Sequence, residues 1–244
     1  MKNKKQTLIF VVGGIVLLSL TAFLIWKSNP PKSTPTNKSD LPQLTNTVSN
    51  DEAEIQIQTT AGDINVKLFP KIAPMAVQNI MTLAKDGYYN NNEFFRVIKD
   101  FMIQTGDPSN KGTGSKSVVN NNQPFATEIS DQLYNIRGAV SLANTGQPNS
   151  SSSQFFIVQN TKDMSASLSS DKYPQKIIDA YKNGGAPSLD GQYTVFGQVV
   201  SGMDVVDKIA SGEVKANPNN SQEVSSPTHP EKITGIKIIK DYKF

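Results

Sequence analysis

The chain has 244 residues, with 24 Lys plus Arg against 21 Asp plus Glu, one His and no Cys. The lack of cysteine excludes disulfides, thiolate zinc sites, thiol nucleophiles and a lipid-modified N-terminal cysteine. The single histidine, His229, leaves no His-rich metal site and makes a Ser-His-acid triad a poor candidate.

Residues 1–7 carry Lys2, Lys4 and Lys5, and residues 8–26 read LIFVVGGIVLLSLTAFLIW, nineteen positions without a charge. That is close to the ~20 residues needed to cross a hydrocarbon core. Basic residues ahead of the run place the N-terminus in the cytoplasm and everything after Trp26 outside. A cleaved signal peptide has a shorter apolar region followed by a small-x-small site. Leu20-Thr21-Ala22 is a weak version of that site and the run continues past it, so a retained single-pass anchor is expected, with secretion the outcome if it is cleaved. Residues 27–52 are rich in Pro, Ser, Thr and Asn and read as a flexible tether.

Residues 1–50 hold six Lys and one Asp, which leaves 18 basic and 20 acidic residues in 51–244. The folded part is therefore close to neutral, and without clustered Lys and Arg it has no nucleic-acid footprint.

The domain, 53–244, begins with two alternating runs, Glu54 to Gln58 and Asp63 to Leu68, joined by Thr60-Ala61-Gly62 as a hairpin. Val77, Ile80, Met81 and Ala84 then recur at helical spacing behind Pro74, and Asp86-Gly87 supplies the stop. Short strands are predicted over Phe94 to Ile98, Gly138 to Leu142, Gln154 to Val158, Tyr193 to Val200 and Ile233 to Ile239. A second helix is marked by Val205, Val206 and Ile209. Many short strands with two helices argue for a mainly β barrel or sandwich. Residues 159–188 look like an insert with a short helical candidate, Tyr173 to Tyr181. Residues 213–231 read as a polar loop, and neither stretch offers an obvious core.

Four motifs then occur in order. The run from Phe94 to Pro108, FFRVIKDFMIQTGDP, resembles the F-H-R-V/I-I-x-x-F-M-I/C-Q-G-G-D signature of cyclophilins, the cyclosporin-binding peptidyl-prolyl cis/trans isomerases. Gly138 to Asn144, Ser153 to Ile157 and Leu189 to Gly197 are similar to the family's G-x-L-S-M-A-N, S-Q-F-F-I and L-D-G-x-H-x-V-F-G. The resemblance covers roughly 54–242, interrupted by the insert. It implies a mainly β fold, an eight-stranded, mostly antiparallel barrel capped by two helices, here preceded by one transmembrane helix, with the site on the outer surface.

Isomerisation is rotation about an X-Pro amide, against a barrier of about 18–20 kcal/mol set by delocalisation of the nitrogen lone pair. It calls for no nucleophile, metal or cofactor. It calls for an apolar pocket for the proline ring, donors that fix the peptide, and a group that favours the twisted amide over the planar one. By resemblance Arg96 is the catalytic guanidinium, assisted by Gln104 and Phe101. Phe101, Met102, Phe156 and Leu189 match the walls of the proline pocket, whereas alternation turns Ile103 and Phe155 inward. Gln104, Asn144 and the backbone around Ala143 correspond to groups that bond the substrate backbone, and Gln154 to one that supports the arginine.

Three positions depart from the family pattern. Phe95 stands where the family usually has His, Tyr193 where many members have a second His, and Ser188 where many have the Trp that contacts cyclosporin, so binding of that drug is expected to be weak. The partners implied are Pro-containing segments of exported or surface proteins, met by a monomer tethered to the cell membrane. The alternatives are a catalytically weak Pro-peptide binding module or chaperone on the same fold, and a structural surface protein that uses the barrel as a scaffold.

Overall fold

The computed structural model describes residues 41–244. The expected anchor, 8–26, and the first part of the tether lie outside them. No helix among the described residues is long and apolar enough to cross a membrane.

The predicted hairpin is β1 (Ala53–Thr59) and β2 (Gly62–Leu68), paired from Ala53↔Leu68 to Thr59↔Gly62. Every second residue of β1 is buried, so alternation sets which face turns to the core. Helix α1 (Pro74–Lys85) follows, with Pro74 at its first turn and Ala76, Val77, Ile80, Met81, Leu83 and Ala84 buried. Its N-cap residue is Ala73, which has no side-chain acceptor. Glu128 caps it from a distance, accepting from the backbone N–H of Met75 at 3.1 Å and of Ala76 at 2.9 Å.

The remaining strands of the main sheet are β3 (Arg96–Ile98), β4 (Met102–Thr105), β5 (Ala139–Leu142), β6 (Phe155–Val158), β7 (Val195–Ser201) and β10 (Ile233–Lys240). They are antiparallel in the order β10-β1-β2-β7-β5-β6-β4-β3. The sheet is curled, and the segments that lead into its two edge strands meet. Glu93 and Lys232 form a β-bridge, and Phe94 N–H donates to Glu231 O at 3.0 Å. The eight strands expected for the barrel are present, but no ladder joins β3 to β10. Three helices lie among the described residues: α1 and α3 (Met203–Ala210) are the two predicted for the domain, and α2 (Gln175–Tyr181) is the helical candidate of the insert.

Three segments are more ordered than composition implies. Residues 41–52 pack on the sheet: Gln43 is buried, and Lys67, fully covered, donates to the carbonyls of Pro42 and Thr47 and pairs with Glu52 at 3.6 Å. Ile177 and Tyr181 of the insert form a satellite core with Tyr134 and Ile136, with Leu41, Met164, Leu168 and Tyr173 against it. The insert is closed by Gly184-Gly185, where a side chain at 184 would lie 1.9 Å from Asn160 O. Residues 213–231 are not a loop. They hold the two-stranded hairpin β8 (Val214–Asn217) and β9 (Asn220–Pro227), turned by Asn217-Pro218-Asn219-Asn220 and packed against β3.

Candidate active site

Residues opposite one another across an antiparallel pair point to the same face. Arg96 on β3 lies opposite Gln104 on β4, Gln104 opposite Phe156 on β6, and Phe156 opposite Ser141 on β5. The next row, Val97, Ile103, Ile157 and Val140, turns inward and belongs to the main core with Phe155. The first row therefore crosses the outer face. Beside it Met102, Ala143, Phe156 and Leu189 form a second apolar cluster, with Phe101 and Tyr193 half-exposed at its edge. The separation of Ile103 and Phe155 from Met102 and Phe156 is the one alternation predicts.

Arg96 is 5% exposed, and its guanidinium is held on two sides. Nη1 donates to Gln104 Oε1 at 3.3 Å and meets Met102 Sδ at 3.9 Å. Gln104 Nε2 donates to Gln154 Oε1 at 3.0 Å, and Gln154 Nε2 donates to the carbonyls of Gly112 and Gly114 at 3.2 and 2.7 Å. Gln154 thus supports the arginine only through Gln104. On the other side Nε and Nη2 each donate to the Glu223 carboxylate at 2.7 Å, a bidentate ion pair between β3 and β9. Burial would raise the Glu223 carboxyl, but the hydrogen bonds and charge of Arg96, with the bonds from Ser225 and Asn217, outweigh it, and the net shift is downward.

A guanidinium has five N–H groups. One on Nη2 has no partner among the described residues, and one on Nη1 has no acceptor better than the Met102 thioether. Arg96 borders a groove of about 760 Å³ whose lining includes Ile98, Phe101, Leu189 and Tyr193. The Tyr193 ring meets Phe156 edge-on at 5.5 Å. Asn160, Lys162, Met164 and Ala186 of the insert and Glu223 of the hairpin also line the groove, with exposed Ser188 among the lining residues.

Asn144 and Ala143 border this groove through Gln192 and Leu189 without lining it. They line a smaller pocket of about 100 Å³ with Gly112, Thr113 and Gln154. Asn144 Nδ2 donates to Gln192 O at 2.9 Å and its Oδ1 accepts from Gly146 N–H at 2.9 Å. Phe95 lies on the hairpin side of Arg96, in a pocket of about 60 Å³ lined also by Gly112, Asn217, Asn219 and Glu223. Glu223 is the residue that sequence reading missed. Its signal was the Asn-Pro-Asn-Asn turn between two polar runs, which marks a hairpin even without apolar alternation.

A family model described as cyclophilin type peptidyl-prolyl cis-trans isomerase/CLD matches residues 54–237. The chain belongs to this family. The cyclophilin is 40% identical over 203 residues to a Staphylococcus saprophyticus protein named for peptidyl-prolyl cis-trans isomerase activity, covering 82% of this chain and 98% of that one. A Staphylococcus aureus protein of the same name is 44% identical over 201 residues, covering 81% and 97%. The fold is similar to that of a Cryptosporidium parvum cyclophilin type peptidyl-prolyl cis-trans isomerase, with a TM-score of 0.62 and 27% identity over 78% of this chain and 99% of the other. A second crystal structure of that protein, in the presence of the dipeptide Ala-Pro, gives a TM-score of 0.61 and 28% identity over 77% and 99%. This cyclophilin is a peptidyl-prolyl cis-trans isomerase.

Proposed function

We propose that Arg96 and the groove beside it form the catalytic site, and that the enzyme isomerises Pro-containing segments of exported or surface proteins from a membrane-tethered position outside the cytoplasm. The observation that carries the site assignment is the placement of a buried, doubly held guanidinium, with N–H groups left over, at the rim of an apolar groove.

Phe101, Leu189 and Tyr193 take the proline ring, which removes apolar surface from water and fixes the peptide beside Arg96. The free N–H groups of Arg96 meet the carbonyl oxygen of the bound segment. As the amide twists, its nitrogen becomes pyramidal and its lone pair localised, and a fixed cation stabilises that charge distribution more than the planar one. Gln104 keeps Nη1 in place throughout. The amide nitrogen changes its geometry and no atom is transferred.

The extracytoplasmic placement rests on the uncharged run 8–26 behind Lys2, Lys4 and Lys5, followed by a Pro- and Ser-rich stretch. Exposed Ser188 at the groove offers no aromatic surface, which supports weak cyclosporin binding. Two measurements test the proposal. Titration with an X-Pro peptide is expected to shift the NMR signals of Phe101, Leu189 and Tyr193 and to bring cis and trans peptide signals into exchange, and shifts confined to other faces would refute the site. Protease added to intact cells is expected to remove the domain, and full protection would refute the placement.

A further inference from the structure

We propose that Glu223, carried by the β8–β9 hairpin, is a positioning residue for Arg96: it fixes the guanidinium so that its remaining N–H groups face the groove. The inference rests on the reading of Arg96 as the catalytic cation. An arginine side chain has many rotamers, and catalysis by a positioned donor requires that they be restricted before substrate arrives. Gln104 alone holds one nitrogen, at 3.3 Å. Glu223 holds the other two at 2.7 Å, through the flat edge of the guanidinium, and so fixes the plane as well as the position.

The hairpin is built for this contact. The Glu223 carboxylate also accepts from Ser225 Oγ and, at 3.3 Å, from Asn217 Nδ2, and Asn217 Nδ2 donates to Ser225 Oγ at 3.0 Å. Both strands therefore orient the carboxylate before it meets the arginine. Asn219 at the turn donates to Lys111 O. Phe95, where the family usually has histidine, shares a pocket with Asn217, Asn219 and Glu223, so the departure at this position lies under the hairpin. A latch that substrate must displace is the competing arrangement. Displacement would strand a half-buried carboxylate and is not required, because Arg96 has N–H groups free without it.

Arg96 and Arg137 are the only arginines in the chain, so the Nε–H region of a proton-nitrogen spectrum of the full-length protein holds two arginine signals, assigned by Arg137→Lys. The Arg96 Nε–H is expected to be shifted downfield and slow to exchange with solvent, and to lose both properties in Glu223→Gln and Glu223→Ala. With rates normalised to the folded fraction, kcat/KM is expected to fall about tenfold in Glu223→Ala, with Glu223→Gln, which keeps one acceptor oxygen, between it and the wild type. Asn217→Ala, which loosens the carboxylate without touching Arg96, is expected to give a smaller loss of the same kind and serves if both Glu223 variants fail to fold. Unchanged kcat/KM with the Nε–H signal lost would make Glu223 merely structural and overturn the proposal, and increased kcat/KM would overturn it in favour of a latch. Full activity in Arg96→Ala would instead refute the underlying site reading, whatever the Glu223 variants do.

Discussion

Gln43 and Tyr134 exchange two hydrogen bonds, Gln43 Nε2 donating to Tyr134 O at 2.8 Å and Tyr134 N–H donating to Gln43 Oε1 at 2.6 Å. Both residues are buried, and Gln43 Nε2 also reaches Gln198 Oε1 at 2.9 Å. The amide side chain thus takes the place of a strand neighbour for the Tyr134 backbone. Gln43→Ala leaves that N–H and C=O without a protein partner and is expected to cost about 1–3 kcal/mol in urea unfolding. A fragment starting at residue 53 is expected to be destabilised relative to one starting at 41, which is read from the same transitions.

Tyr181 ties the insert to the motif region. Its hydroxyl donates to Asp190 Oδ2 at 2.6 Å, while Asp190 Oδ1 accepts from Asn135 N–H and Nδ2 at 2.7 and 3.0 Å. Tyr181→Phe removes one donor from a largely buried carboxylate and is expected to cost about 1–3 kcal/mol. Amide hydrogen exchange is expected to show faster opening of 175–181 than of the sheet.

Two phenylalanines on opposite faces separate stability from activity. Phe155 packs in the inner core against Tyr89 and Phe196, and Phe155→Ala is expected to cost about 3–5 kcal/mol. Phe101 is only partly buried at the groove, and Phe101→Ala is expected to lower kcat/KM at least tenfold with a much smaller shift in the unfolding midpoint.

Glu223 makes one contribution of definite sign to the pH dependence of stability. Its carboxyl lies below its ordinary value of 4.5 in the folded protein, so the fold favours the ionised form. The resulting stability is present above the unfolded value and is lost as the pH falls through the folded one. Stability measured from pH 6 downward is expected to decline less steeply below about 4.5 in Glu223→Gln than in the wild type.

Residues that bury their side chains locally were legible in the sequence. Alternation located β1 and β2, and the spacing of Val77, Ile80 and Met81 located α1. Strand β4 was hidden because it follows β3 after only three residues, Lys99 to Phe101, and is itself four residues long with two apolar members, Met102 and Ile103. The β8–β9 hairpin was hidden for a different reason: Ser225 is its one buried residue, and its strands carry no apolar period. The motif gave Arg96 and Gln104 together, since they are eight residues apart and opposite in register. Glu223 is 127 residues from Arg96, and only the folded chain brings them together.

The most direct measurement is the cis-to-trans rate of a short X-Pro peptide with the wild-type protein, Arg96→Ala and Arg96→Lys. The wild type is expected to accelerate exchange. Arg96→Ala is expected to lose at least tenfold in kcat/KM, about 1.4 kcal/mol of transition-state stabilisation. Arg96→Lys keeps the charge but not the planar fork, and is expected to recover only part of the loss. Wild-type acceleration by a folded Arg96→Ala variant would contradict the assignment of Arg96 as the catalytic group.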